Sequence, residues 1–180
     1  MGYYTSLIQR KFKDLVGTRY EEVRQEYSDF IVSEEEMKFS PVRLVLVPVD
    51  VLAGDLPAEL VETFLAYGAR VHLAYIMDAS MLSLLDELVG EKSEAGFRKV
   101  KEKFGEELLD SLSRLLEEKG LAVQTSLFSG SKIEDVIRLS HSHDLVAVSR
   151  GFGAATSEET PLSPVVSQIN RRVECPVIIF

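Results

Sequence analysis

The stretch Asp144-Leu145-Val146-Ala147-Val148-Ser149-Arg150-Gly151-Phe152-Gly153 is a short apolar run delivered into a glycine turn. Further on stands a second apolar run, Cys175-Pro176-Val177-Ile178-Ile179-Phe180. The first run predicts a buried strand over 145–148 and the second a strand over 177–180. Between them the apolar spacing predicts a helix over 165–173. Two strands joined through a helix pair in parallel, because a tight hairpin cannot join parallel neighbours. A glycine turn after such a strand and ahead of a helix is where α/β proteins hold phosphates.

The same rhythm extends upstream. Residues 42–49 are nearly all apolar and are closed by Pro48-Val49-Asp50, as suits a strand covered on both faces. A helix follows, with Asp55 as its expected cap, Pro57 in its first turn and Leu60, Val61, Phe64 and Leu65 facing inward; Gly68 ends it. A second strand runs over 71–77. Met81, Leu84, Leu85 and Leu88 make one helical stripe, and Phe97, Val100, Phe104, Leu108, Leu112 and Leu116 make another that stops at Gly120. A third strand is expected over 121–128. Ser131 and Glu134 have capping-box spacing, which starts a helix at Lys132. Five strands alternating with helices predict an α/β fold, a doubly wound parallel sheet with helices on both faces.

Residues 1–40 follow a different pattern. Phe12, Val16, Tyr20, Val23, Tyr27 and Phe30 recur at spacings of three and four, so an N-terminal amphipathic helical arm is expected over 1–40, ahead of the α/β domain over 41–180. The arm either packs on its own domain or pairs with a second subunit or partner. Met1-Gly2 and Ser6 also match the N-myristoylation pattern, although Ile8, Phe12 and Val16 fit a helix there.

Composition excludes several classes. A net charge of −9 is the wrong sign for a nucleic-acid partner. The chain has no apolar run long enough to span a membrane and no basic-then-apolar leader, so a cytoplasmic protein is expected. One cysteine, Cys175, allows neither an internal disulfide nor a cysteine zinc site, and it reads as a buried small hydrophobe. The Glu- and Lys-rich charge content leans toward a thermophilic source.

Taken in order, Leu46-Val47-Pro48-Val49-Asp50, Val71-His72-Leu73-Ala74-Tyr75-Ile76, Gly130 with Ile133, the 144–151 stretch and Cys175-Pro176-Val177 resemble the universal stress protein domain. That resemblance covers residues 42–180. It implies strand order 3-2-1-4-5, with a crevice at the carboxyl ends of strands one and four. It further implies that Asp50 helps recognise adenosine and that Pro48 and Val49 hold the base side. Ile76 would line the adenine slot, while Val148, Ser149, Arg150, Gly151, Gly153 and Ser163 would meet ribose and phosphates. On the residues alone, Asp50 is equally a strand-end group that caps the next loop. The resemblance also implies a homodimer through the C-terminal edge strand; the N-terminal helix, outside the resemblance, is a second candidate contact by its apolar stripe.

The nucleotide pattern is incomplete. Ser149 or Val148 stands for its first glycine, and Gly151 and Gly153 both qualify for the second. Ser163-Pro164 takes the place of the closing Gly-Ser, and a proline has no N–H to offer a phosphate, although the Ser163 hydroxyl remains. Val51-Leu52 replaces the Gly-Ser expected after Asp50. Glu158 and Glu159 repel a triphosphate if they face inward and do little harm if they face solvent. Arg150 is the one cation expected nearby. The expected ligand is therefore ATP or AMP, with Mg²⁺ only alongside ATP; another small ligand or an empty structural loop are the alternatives.

No residues stand ready for catalysis. Ala147-Val148-Ser149-Arg150-Gly151 lacks the first glycine of a nucleophile elbow, which leaves Ser149, His141 and Asp144 as neighbours in sequence only. His141, His143 and Asp144 resemble a metal cluster on paper, but they lie where a helix gives way to a strand. His72 reads as a core histidine. At most a weak ATPase is expected, with Glu158 or Glu159 on Mg²⁺. The expected function is a dimeric stress-response regulatory domain; the alternative is an interaction module acting through the N-terminal helix and dimer surface.

Overall fold

Apolar runs without alternation become strands with both faces covered, and the first two strands do so. The computed structural model of the chain describes residues 41–52, 56–79 and 91–180, with side chains from residue 96 in the last stretch. The expectations for residues 1–40, for Asp55 and for Met81, Leu84, Leu85 and Leu88 lie outside the described residues.

The elements in order are β1 (Leu44–Val49), α1 (Ala58–Tyr67), β2 (Arg70–Asp78), α2 (Glu91–Glu118), β3 (Val123–Gly130), α3 (Lys132–Ser140), β4 (Leu145–Val148), α4 (Pro164–Arg172) and β5 (Val177–Ile179). All pairings are parallel, in the order β3-β2-β1-β4-β5. Alternate residues of β1 then serve two cores. Val45, Val47 and Val49 pack with Phe64 of α1 and with Leu109, Leu112 and Leu116 of α2. Leu46 joins Ile76, Val146 and Val148 against Val136 of α3, Phe152, and Val166 and Ile169 of α4. Each fully buried side chain of this size contributes about 1.5–3 kcal/mol of hydrophobic free energy.

The ends differ from expectation where backbone hydrogen bonds compete. Residue 121 does not begin β3: its N–H donates to the Leu116 carbonyl and so closes α2, and β3 instead runs on to Gly130 opposite Asp78. Pro57, not a side chain, stands at the start of α1, while Gly68 ends it at φ 63°, a left-handed turn suited to glycine. In α3 the Ser131 hydroxyl accepts from the Glu134 N–H, but the Glu134 carboxylate does not return to complete a capping box. It takes the Arg172 guanidinium in two bonds of 2.7 and 2.9 Å, tying α3 to α4.

At the lower end of the sheet, Asp144 accepts from the N–H groups of Arg43 and Leu44 at 2.8 and 2.9 Å, which joins the starts of β1 and β4. Beside it, His143 Nδ1 lies 2.7 Å from the Leu139 carbonyl, which only accepts, so that nitrogen carries the proton. With its other nitrogen Nε2 as acceptor, His143 takes a hydrogen bond from His72 Nδ1 at 3.0 Å, and His72 Nε2 then accepts from the Ser126 hydroxyl at 2.9 Å. Burial, and then the charge His143 would carry, hold His72 below the ordinary 6.5. The unfolded chain therefore takes up a proton at this residue before the folded one does, and the folded state loses stability as pH falls below about 6.5. A urea midpoint lower at pH 5.5 than at 7.5 is expected, with a shallower slope in His72→Asn; equal slopes in both proteins would contradict this assignment.

Candidate functional site

The sheet order reverses direction between β1 and β4, which leaves a crevice outside their carboxyl ends. Asp50, directly after β1, is only 2% exposed. Its carboxylate reaches across the crevice: Oδ2 accepts from the Gly153 N–H at 2.8 Å, and Oδ1 accepts from the Leu52 N–H at 2.9 Å. Oδ2 also lies 2.6 Å from the Lys132 Nζ, in an ion pair whose cation is 13% exposed. Burial, and secondarily the Asp50 charge, push the nearby Tyr75 phenol up. The sequence reading missed Lys132, and Arg150 is therefore not the one cation near the crevice.

The loop after β4 is tied down by its own backbone. Arg150 donates to the Phe180 carbonyl, Phe152 to Ser149 and Ala154 to Gly151, while the Arg150 carbonyl accepts from Ser163. The N–H groups of Arg150, Phe152, Gly153 and Ala154, the natural donors of a phosphate cradle, thus already have protein acceptors. Phe152 points down into the core and is fully buried. Gly153 sits at φ 83°, and a Cβ there would lie 2.7 Å from the Cβ of Val165. Of the two glycines that qualified for the second position of the pattern, Gly153 is the one the loop conformation requires. Gly151 has no left-handed φ, and among the described residues a Cβ there would meet nothing closer than the Leu52 carbonyl at 3.5 Å.

Ser163 caps α4. Its hydroxyl donates to the Phe152 carbonyl at 2.6 Å and accepts from the Val166 N–H at 3.1 Å, with Pro164 in the first helical position. Pro48, Val49, Ile76 and Val148 are buried, Ser149 and Gly151 are half-buried, and Arg150 is exposed. Glu158 and Glu159 face solvent, the harmless orientation.

The other candidates disperse. Ser149 follows β4 whereas His141 and Asp144 precede it, which puts Asp144 and Ser149 roughly 16 Å apart at about 3.3 Å per strand residue. His141 is exposed at the end of α3, His143 faces His72, and Asp144 holds the two N–H groups of β1. Among the described residues no three His, Cys, Asp or Glu side chains gather to hold a metal. Cys175 is half-buried against the α4 core rather than fully buried, and burial pushes its thiol up. No helix among the described residues is long and apolar enough to cross a membrane.

Comparison with solved structures is decisive for the architecture. UspA from Lactobacillus plantarum superimposes with a TM-score of 0.62 over 78% of this chain and 99% of its own, at 18% identity. The fold is that of the universal stress proteins. A universal stress protein from Archaeoglobus fulgidus in complex with dAMP matches with a TM-score of 0.51 over 78% of this chain and 98% of its own, at 13% identity. A universal stress protein in complex with cAMP matches at 0.50, over 78% and 98%, at 16% identity. No family model and no curated protein matches the sequence. What these neighbours share with the chain is the universal stress protein fold, at sequence identities too low to carry site residues across.

Proposed function

We propose that the chain is a cytoplasmic stress-response regulatory domain of universal stress protein type that acts by binding, not by catalysis. Its ligand is an adenine nucleotide with few phosphates, held in the crevice between the ends of β1 and β4. The observation that carries this reading is Asp50 meeting the glycine loop across the switch point, at 2.8 Å from Gly153. Two structures of the same fold were solved with the monophosphates cAMP and dAMP. A triphosphate is disfavoured because the N–H groups of Arg150, Phe152, Gly153 and Ala154 serve the protein itself and Pro164 offers none. Association is a homodimer through β5, the last strand of the sheet, whose Val177, Ile178 and Ile179 are only partly buried within one chain.

Calorimetry with AMP and ATP, with and without Mg²⁺, tests the ligand. AMP is expected to bind weakly, with Kd of about 0.1–1 mM, or roughly 4–5.5 kcal/mol. ATP with Mg²⁺ is expected to bind no tighter. Binding of ATP more than tenfold tighter than AMP would contradict the choice of ligand. Absence of heat with either at millimolar concentration would favour the second reading, an interaction module with a closed crevice, which the satisfied loop already supports.

A further inference from the structure

We propose that Lys132 limits the affinity of the crevice: it competes from inside the protein for the Asp50 oxygen that a nucleoside would otherwise engage. This rests on the nucleotide reading above and adds how the site is governed. Lys132 opens α3, where the positive end of the helix dipole disfavours a cation. Something must offset that placement, and the ion pair with Asp50 does so. The Lys132 Nζ also stands 5.5 Å from the centre of the Phe152 ring, so the ammonium is held between a carboxylate and an aromatic face.

The chemistry of competition then follows. A nucleobase amine or a sugar hydroxyl offers Asp50 a neutral donor. The ammonium offers a charged one, and charge-assisted hydrogen bonds are roughly twice as strong as neutral ones. Asp50 is 2% exposed and its Oδ2 already holds the Lys132 Nζ at 2.6 Å, so a ligand's donor to that oxygen competes with the ammonium. Lys132 thus weakens ligands that bind by donating to Asp50, adenosine and AMP alike. With the charge removed, Asp50 keeps the N–H groups of Leu52 and Gly153, and a ligand's donor no longer competes with an ammonium.

The test is calorimetry of adenosine and AMP with wild type, Lys132→Met and Lys132→Arg. Met keeps the stem over Phe152 and removes the charge. It is expected to bind both ligands at least about tenfold tighter than wild type, about 1.4 kcal/mol, while Arg behaves as wild type. Melting followed by circular dichroism verifies the fold. If Met does not fold, Lys132→Gln, which can still donate to Asp50, is expected to shift affinity in the same direction. Measurable wild-type binding with no gain in the neutral variants overturns the proposal and leaves the nucleotide reading standing. No binding by any variant at millimolar ligand overturns both.

Discussion

Asp50→Ala is expected to lower the unfolding free energy by about 3–5 kcal/mol, the range found when one partner of a buried ion pair is deleted. Among the described residues, the Lys132 ammonium and the N–H groups of Leu52 and Gly153 lose their acceptor at once. The loss spans three segments, because that carboxylate joins the end of β1, the start of α3 and the loop after β4. Lys132→Met should cost less, since Asp50 keeps the N–H donors of Leu52 and Gly153. Urea unfolding of the two variants beside wild type gives the order directly. An Asp50→Ala protein within about 1 kcal/mol of wild type would mean that the pair is solvated and ties nothing together.

Gly153→Ala is the second large effect, a loss of roughly 2–5 kcal/mol. The left-handed φ of 83° costs a residue with a Cβ about 1–2 kcal/mol. Overpacking against Val165, 2.7 Å away, adds about 1–3 kcal/mol. Gly151→Ala is the control, with no left-handed φ and, among the described residues, a nearest neighbour at 3.5 Å, and should stay within about 1 kcal/mol of wild type. Equal losses at the two positions would show that the loop conformation described for Gly153 is wrong.

A parallel sheet covered on both faces was legible because residues 42–49, 71–77 and 145–148 are nearly continuous apolar runs, whereas the strand order was legible only through the family resemblance. Gly68 and Ser131 marked helix ends through chemistry confined to a few neighbouring residues. What sequence could not resolve was long-range competition. Glu134 had local spacing for a capping box, yet Arg172, 38 residues away, takes its carboxylate. Leu121 looked like the first residue of a strand, but the carbonyl of Leu116 claims its N–H.

The site follows the same division. Asp50 and the glycine loop were found because a strand end and a turn carry their own signatures. The two roles left open for Asp50, ligand contact or internal capping, are answered in part by geometry: its carboxylate makes internal hydrogen bonds, and so does the Ser163 hydroxyl, read from sequence only as a ligand contact. Lys132 was missed because its partner lies 82 residues away. One signal was present, a lysine in the first helical position after Gly130-Ser131, where the helix dipole opposes it. A cation placed against the local field points to a tertiary partner.

The measurement that tests the central claim most directly is titration of AMP into uniformly ¹⁵N-labelled protein, read residue by residue from the amide spectrum. The account predicts shifts concentrated at Leu52, Gly151 and Gly153, the backbone around the Asp50 carboxylate. Shifts confined to α2, or an unchanged spectrum at millimolar AMP, would contradict it.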